Sequence, residues 1–197
     1  MNIGLIILII IGSFLVGSIP TGYCIVKLKT GADIRKVGSG NIGTTNAMRA
    51  AGKKIAAVVF ICDTLKGMIP SLLGLVLVGP SLGITCGLAA FLGHIYSPFM
   101  GFRGGKGVAT QLGIVFALCP QLAIVPLVVW VLVVLISGYV SVASCLAIAV
   151  FVISLIIINA DIAYIIGFTL MTVIVFIKHR KNFINLKNGT ELKIKFH

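Results

Sequence analysis

Two short stretches carry side chains that could hold an anion. Gly38-Ser39-Gly40-Asn41-Ile42-Gly43-Thr44-Thr45-Asn46 supplies three glycines, a serine, two threonines and two asparagines, and Arg49 follows at once. Glycines let the backbone turn its N–H groups toward a ligand, and hydroxyl and amide side chains add donors. A helix starting near Asn46 presents its positive end, and Arg49, one turn in, can fork onto a phosphate or carboxylate. Gly101-Phe102-Arg103-Gly104-Gly105-Lys106-Gly107 repeats this chemistry ahead of a second helix. Two such cradles suit two phosphates, or one phosphate and a developing oxyanion.

Other readings of these motifs fail on context. Gly38-x-Gly40-x-x-Gly43 has the dinucleotide spacing but lacks the preceding strand and the acidic residue about 20 positions on. The second stretch lacks the spacing and final Ser/Thr of a P-loop. His179 and Asn182 stand at i and i+3 in a basic segment, where a histidine can bond a hydroxyl or phosphate or act as a base. Ser144 lies one helical turn beyond the Gly138-Tyr139-Val140-Ser141 turn. Asp63 and Lys66 share one face of an apolar helix, at a depth where charges must pair. They read as an internal ion pair that fixes packing, or as support for a site loop. His94 reads as structural, holding a backbone carbonyl, and His197 as idle. No clustered His/Asp/Glu set calls for a metal.

The elements that position these groups are apolar. Of 197 residues, 59% are hydrophobic and 10% charged, with mean hydropathy +1.18. That composition describes an integral membrane protein, read as one domain over 1–197. The N-terminus has no basic region or clear cleavage site, so it reads as a retained first span. The five cysteines form no C-x-x-C pair and read as reduced core residues. Gly4, Gly12, Gly74, Gly87 and Gly113 read as close-packing positions between helices.

The net charge of +12 reflects topology, not nucleic acid. All 16 Lys and Arg fall in four patches: Lys27–Lys54, Lys66, Arg103–Lys106 and Lys178–Lys195. The breaks near Gly79-Pro80, Cys119-Pro120-Gln121 and Asn159-Ala160-Asp161 carry none, so the patches face the cytoplasm and the breaks face out. Splitting the apolar run 108–136 at Pro120 keeps the last two patches on one side. The expectation is an all-α protein with seven transmembrane helices, some short or partial, near 3–28, 54–78, 82–99, 107–118, 121–137, 140–158 and 162–178. The N-terminus lies outside and the C-terminus in the cytoplasm. The fourth span, about 18 Å of helix, falls short of a bilayer core of about 30 Å. Nearly all unusual polar chemistry then lies on the cytoplasmic face. That favours a site there over a transport path, which would spread polar groups through the membrane. A lipid-binding scaffold using the basic tail leaves the glycine cradles unexplained.

GSGNIGTTNAMR at 38–49, Asp63-x-x-Lys66-Gly67, GHIYSPFMGFRGGKGVAT at 93–110, GYVSVAS at 138–144 and KHRKNFINL at 178–186 together resemble the bacterial acyl-phosphate-dependent glycerol-3-phosphate acyltransferases. The resemblance runs the whole chain in order. It implies transfer of a fatty acyl group from acyl phosphate to the 1-hydroxyl of glycerol 3-phosphate, giving lysophosphatidic acid and phosphate for phospholipid synthesis. It implies a multi-pass protein of the bacterial cytoplasmic membrane with its active site on the cytoplasmic side. It implies no cofactor, and membrane lipids and the enzyme that supplies acyl phosphate as partners. By resemblance, Ser39, Arg49, Lys106, His179 and Asn182 hold glycerol 3-phosphate as catalytic residues. Asn41, Gly43, Thr45 and Asn46 cradle the acyl-phosphate headgroup, with Gly104, Gly105 and Ser144 also binding substrate. Asp63, Lys66 and His94 give structural support. Arg103 stands where the family pattern leads one to expect Lys, and keeps the charge.

Overall fold

The computed structural model describes residues 1–194; Lys195 and His197, named above, lie outside the described residues. Among the described residues every regular element is helical. Helix α1 (Ile3–Ser18) opens with Asn2, whose side chain accepts the Gly4 N–H, and α2 (Thr21–Thr30) follows. Then come α3 (Thr44–Leu77), α4 (Pro80–Ile95), α5 (Val108–Leu118), α6 (Ile124–Ser137), α7 (Val140–Ile157), α8 (Ile162–Lys178) and α9 (Arg180–Lys187). Single 3-10 turns cover Ile34–Lys36, Pro98–Met100 and Pro120–Leu122.

Two differences from the expected spans have clear causes. The first apolar run breaks at Ile19-Pro20, because proline has no N–H to donate back along the helix. Helix α3 begins earlier than the apolar run does, and Gly52 (φ 83°, ψ 174°) divides it. A polar arm, 44–51, therefore precedes an apolar arm, 53–77. Helix α5 has 11 residues, about 17 Å at 1.5 Å per residue.

Among the described residues, five helical stretches are long and apolar enough to cross a membrane: Ile3–Thr30, Thr44–Leu77, Pro80–Met100, Pro120–Ser137 and Val140–Ile157. A sixth is the pair α8 and α9, bent by 47°. Helix α5 is shorter than these.

The chain divides into two compact units, Met1–Leu118 and Cys119–His197. In the first, α3 packs on α2, α4 and α5, and α1 packs on α4. Small residues allow this: a Cβ at Gly17 would collide with the Ala90 carbonyl, one at Gly67 with the Thr110 carbonyl, and one at Gly113 with the Thr64 carbonyl. Gly74 and Gly87 also sit in close helix contacts, as the sequence suggested. Gly4 and Gly12 do not: nothing lies within 4 Å of a Cβ at Gly12, and Gly4 meets only its own cap residue. In the second unit α7 packs on α6 and α8, and Phe151 meets Phe168 edge to face at 4.9 Å between ring centres. Cys86, Cys119 and Cys145 are buried and Cys62 is half-buried; Cys24 is exposed, so it is not the core residue expected. All five are free thiols.

Candidate functional site

The 38–46 loop is built around one side chain. Asn46 is 2% exposed, and its Nδ2 donates to the carbonyls of Ile34 (3.0 Å), Val37 (2.9 Å) and Asn41 (2.8 Å). Its Oδ1 accepts the Ser39 N–H at 3.0 Å. The amide thus serves the loop's own backbone, which makes Asn46 the residue that sets the cradle's shape. Asn41 makes a smaller turn of the same kind, its Oδ1 accepting the Gly43 N–H at 2.9 Å.

Gly38 (φ 54°) and Gly40 (φ 70°) take left-handed backbone that disfavours any side chain. A Cβ at Gly38 would also collide with Asn46 Oδ1 and stand 3.2 Å from Arg49 Cδ, so the arginine side chain runs across this glycine. Gly43 caps α3 with no side-chain hydrogen bond, and its carbonyl accepts from the Asn46 and Ala47 amides. The first-turn N–H groups at Thr44 and Thr45 sit at the positive end of the polar arm. Thr44 Oγ1 is buried with no hydrogen-bond partner, a donor in the same loop beside the Thr45 singled out from the sequence. Ser39 is exposed; Asn41, Gly43, Thr45 and Arg49 are half-buried.

The second loop lies on the end of α4. Gly104 N–H donates to the Ile95 carbonyl at 3.0 Å, and Gly105 N–H to the His94 carbonyl at 3.1 Å. A Cβ at Gly104 would strike the His94 carbonyl, and one at Gly105 the imidazole Nε2. Gly107 (φ 88°) rests on the Phe91 ring, and its carbonyl accepts the Gln111 N–H of α5 at 2.8 Å. Lys106 stands half-buried between these fixed glycines.

Beneath that loop lies a buried polar cluster. Lys66 Nζ is 2.7 Å from Asp63 Oδ1, with the side chains 6% and 2% exposed. Asp63 also accepts a short hydrogen bond from the Thr21 hydroxyl at the start of α2. Lys66 donates to the Ile19 carbonyl at 3.0 Å, at the end of α1. His94 Nδ1 faces Asp63 Oδ1 at 3.7 Å. The ion pair expected from the spacing is present, and its partners span the α1–α2 break and the helix carrying the loop.

In the second unit, His179 closes α8 at its bend into α9 and is 3% exposed. Its Nδ1 lies 2.9 Å from the Val175 carbonyl. A carbonyl only accepts, so Nδ1 carries the proton, which leaves Nε2 as the accepting nitrogen of the neutral ring. Asn182 Nδ2 donates to Glu191 Oε1 at 2.7 Å, and Ser141 Oγ donates to the same oxygen at 2.8 Å. Glu191 Oε2 accepts from Asn185 at 3.4 Å. The segment continues to Ile194, whose N–H donates to the Gly138 carbonyl at 2.9 Å, while the Lys193 ammonium sits over the Tyr139 ring. Glu191 was not singled out from the sequence; a lone acid in a basic tail gives no periodic signal. Ser144 is buried and accepts from the Trp130 indole at 3.2 Å.

Outside the helices, Asp33 takes a bidentate grip on Arg35, 2.6 Å at the shortest. That hydrogen-bonded guanidinium holds the Asp33 carboxyl down at about 2.

The family model described as glycerol-3-phosphate acyltransferase matches residues 7–189. The Mesorhizobium japonicum glycerol-3-phosphate acyltransferase is 40% identical over 194 residues, covering 98% of both chains. The Geotalea daltonii protein of that name is 41% identical over 186 residues, covering 94% of this chain and 95% of its own. Among solved structures, the glycerol 3-phosphate form of PlsY (YgiH), an integral membrane glycerol 3-phosphate acyltransferase, superposes with TM-score 0.94 at 40% identity, covering 98% of this chain and 96% of that one. Its lysophosphatidic acid form gives 0.91 at 37% identity, with the same coverage. Both glycine loops, the Asp63–Lys66 cluster and the His179–Asn182 corner fall inside the matched residues. This all-helical, multi-pass membrane chain belongs to the glycerol-3-phosphate acyltransferase family.

Proposed function

We propose that the protein transfers a fatty acyl group from acyl phosphate to the 1-hydroxyl of glycerol 3-phosphate, yielding lysophosphatidic acid and phosphate for phospholipid synthesis. The observation that carries this reading is a pair of glycine loops, each with amides fixed by the fold and each beside a cation. The similarity to relatives described with glycerol 3-phosphate and with lysophosphatidic acid supports it.

In this reading the glycerol hydroxyl oxygen attacks the acyl carbonyl carbon. The bond from that carbon to the phosphoryl oxygen breaks, and its electron pair leaves with phosphate. The hydroxyl proton ends on a phosphate oxygen. The four acids of the chain are otherwise engaged: Asp33 with Arg35, Asp63 with Lys66, Glu191 with Asn182, and Asp161 as the cap of α8. That favours a substrate phosphate as proton acceptor. Acyl phosphate is already activated, so no covalent acyl-enzyme is needed. Oriented amides stabilise the oxyanion, and positioning two bound substrates supplies much of the remaining acceleration.

In the first unit, Ser39, Arg49 and Lys106 are assigned to glycerol 3-phosphate, Asn41, Gly43 and Thr45 to the acyl-phosphate headgroup, and Gly104 and Gly105 to substrate binding. Asn46 acts by shaping that cradle, and Asp63, Lys66 and His94 by supporting the loops. In the second unit, His179 through Nε2 and Asn182 are assigned to glycerol 3-phosphate, and Ser144 to acyl phosphate. One acyltransferase domain over 1–197 is supported by a family match that crosses the boundary between the units.

We assign seven crossings, with α5 a partial one, the N-terminus outside, and the loops on the cytoplasmic face of the bacterial plasma membrane. The asymmetric basic patches support this. Labelling of introduced cysteines near Pro120 tests it; access only from the cytoplasm would sink the assignment. The enzyme that makes acyl phosphate is the partner this chemistry requires.

The central experiment mixes purified protein with palmitoyl phosphate and glycerol 3-phosphate and follows phosphate and lysolipid together. The expected result is equal amounts of both, lost in Ser39→Ala and Lys106→Ala. Phosphate without lysolipid would make the protein a hydrolase. No turnover by folded protein, with uptake of glycerol phosphate into sealed vesicles, would make it a transporter.

A further inference from the structure

Between α4 and the glycine loop the chain makes a knuckle, residues 96–103. Pro98–Met100 form one 3-10 turn, after which Gly101 (φ 59°) and Phe102 (φ 60°) both take left-handed backbone. A bulky side chain rarely accepts that conformation, because its Cβ crowds the following carbonyl oxygen. Among the described residues only Asn159 also has positive φ without being glycine, and asparagine tolerates it.

The backbone of the knuckle is firmly tied. Phe102 N–H donates to the Ser97 carbonyl at 2.8 Å, and Arg103 N–H to the Met100 carbonyl at 3.2 Å. Ser97, 1% exposed, donates its hydroxyl to the Ser18 carbonyl at 2.6 Å, and Met100 is buried. The rings go the other way. Phe99 and Phe102 are each 63% exposed and Tyr96 is 42% exposed. The costly conformation at Phe102 therefore holds an aromatic ring away from the protein, beside an exposed Arg103.

Exposed phenylalanines beside cations bury at the headgroup–acyl boundary of a bilayer, tyrosine is enriched there, and arginine pairs with lipid phosphate. The knuckle ends Pro80–Met100, a stretch apolar enough to cross. Clustered cations near such an end attract anionic lipid, and Lys106 follows Arg103 by three residues. We propose that Phe99 and Phe102 insert into the bilayer interface with Arg103 on anionic headgroups, fixing the depth of the Gly104–Gly107 loop. This stands whether or not the acyl-transfer reading holds.

Trp130 is the only tryptophan, so a Trp130→Phe background with Phe102→Trp gives one reporter. In nanodiscs of phosphatidylglycerol and phosphatidylcholine brominated either near the glycerol backbone or near the chain end, the shallow bromines should quench most. Aqueous iodide should quench little. Quenching by iodide alone, stronger quenching by deep bromines, or shielding from all three would each overturn the proposal. Phe99→Trp reads the same face should the first variant fail to fold. As a second measure, Phe102→Gly should leave the detergent melting temperature unchanged or raised. A fall like that of a core truncation would show the ring packed within the protein, against the proposal.

Discussion

Lys66 and Asp63 meet at 2.7 Å on α3, and each reaches past the other to one side of the α1–α2 break. Asp63 holds the Thr21 hydroxyl that opens α2, and Lys66 holds the Ile19 carbonyl that ends α1. Removing one member of a buried ion pair leaves an uncompensated charge and costs about 3–5 kcal/mol. Lys66→Ala and Asp63→Ala are each expected to lower stability by that order in detergent unfolding. An apolar pair, Asp63→Leu with Lys66→Met, should cost less than the sum of the single changes, which a double-mutant cycle measures.

Gly105 tests the seat of the second loop. Its Cβ position is filled by the His94 imidazole, and that ring is hemmed in by Asp63. Gly105→Ala should therefore abolish most acyl transfer while the helices stay folded, read by activity and circular dichroism together. Gly31→Ala is the matching control. That glycine, unlike Gly105, has positive φ (70°), but nothing lies within 4 Å of an added Cβ, so it should lose stability of about 1 kcal/mol and keep turnover.

Glu191 holds Ser141 and Asn182 on one oxygen. Glu191→Ala leaves Ser141, 5% exposed, without this acceptor, at a cost of about 1–3 kcal/mol for a buried donor that loses its partner. The expected outcome is a lower melting temperature and a raised KM for glycerol 3-phosphate, because Asn182 loses its orienting partner. An unchanged KM in folded protein would separate Glu191 from substrate binding.

Asp33 gives a pH dependence with a definite sign. Its carboxyl is lowered from 3.8 to about 2 by Arg35. The stability it contributes is complete above 3.8 and is lost as pH falls through about 2. Thermal melts across that window should show a shallower acid loss in Asp33→Asn than in the parent. Added salt should narrow the difference, since the pair is partly exposed.

Much of this was legible in residue order. Apolar runs gave the helices, and Pro120 correctly marked the end of the short α5. The i, i+3 spacing on an apolar face gave the Asp63–Lys66 pair. What stayed hidden depends on contacts distant in sequence. Asn46 looked like one donor among many in a polar stretch. Its role as the loop's internal tie depends on carbonyls 5, 9 and 12 residues back. Glu191 meets Ser141 from 50 residues away, and no local pattern encodes that. The α1–α2 break was missed because the apolar run continues through Pro20 on both sides.

Gly52 sets a corner rather than a hinge. Its backbone (φ 83°, ψ 174°) is not helical, so α3 is kinked there and the polar arm 44–51 departs from the line of the apolar arm. The corner is braced across its inside: Ala56 and Val59 of the apolar arm share one buried cluster with Ile34, Ile42 and Ala47 on the cradle side. The arrangement is a carpenter's bracket, with Gly52 as the bend and this apolar cluster as the brace, so the seating of the cradle depends on side chains of the spanning helix as well as on its own loop.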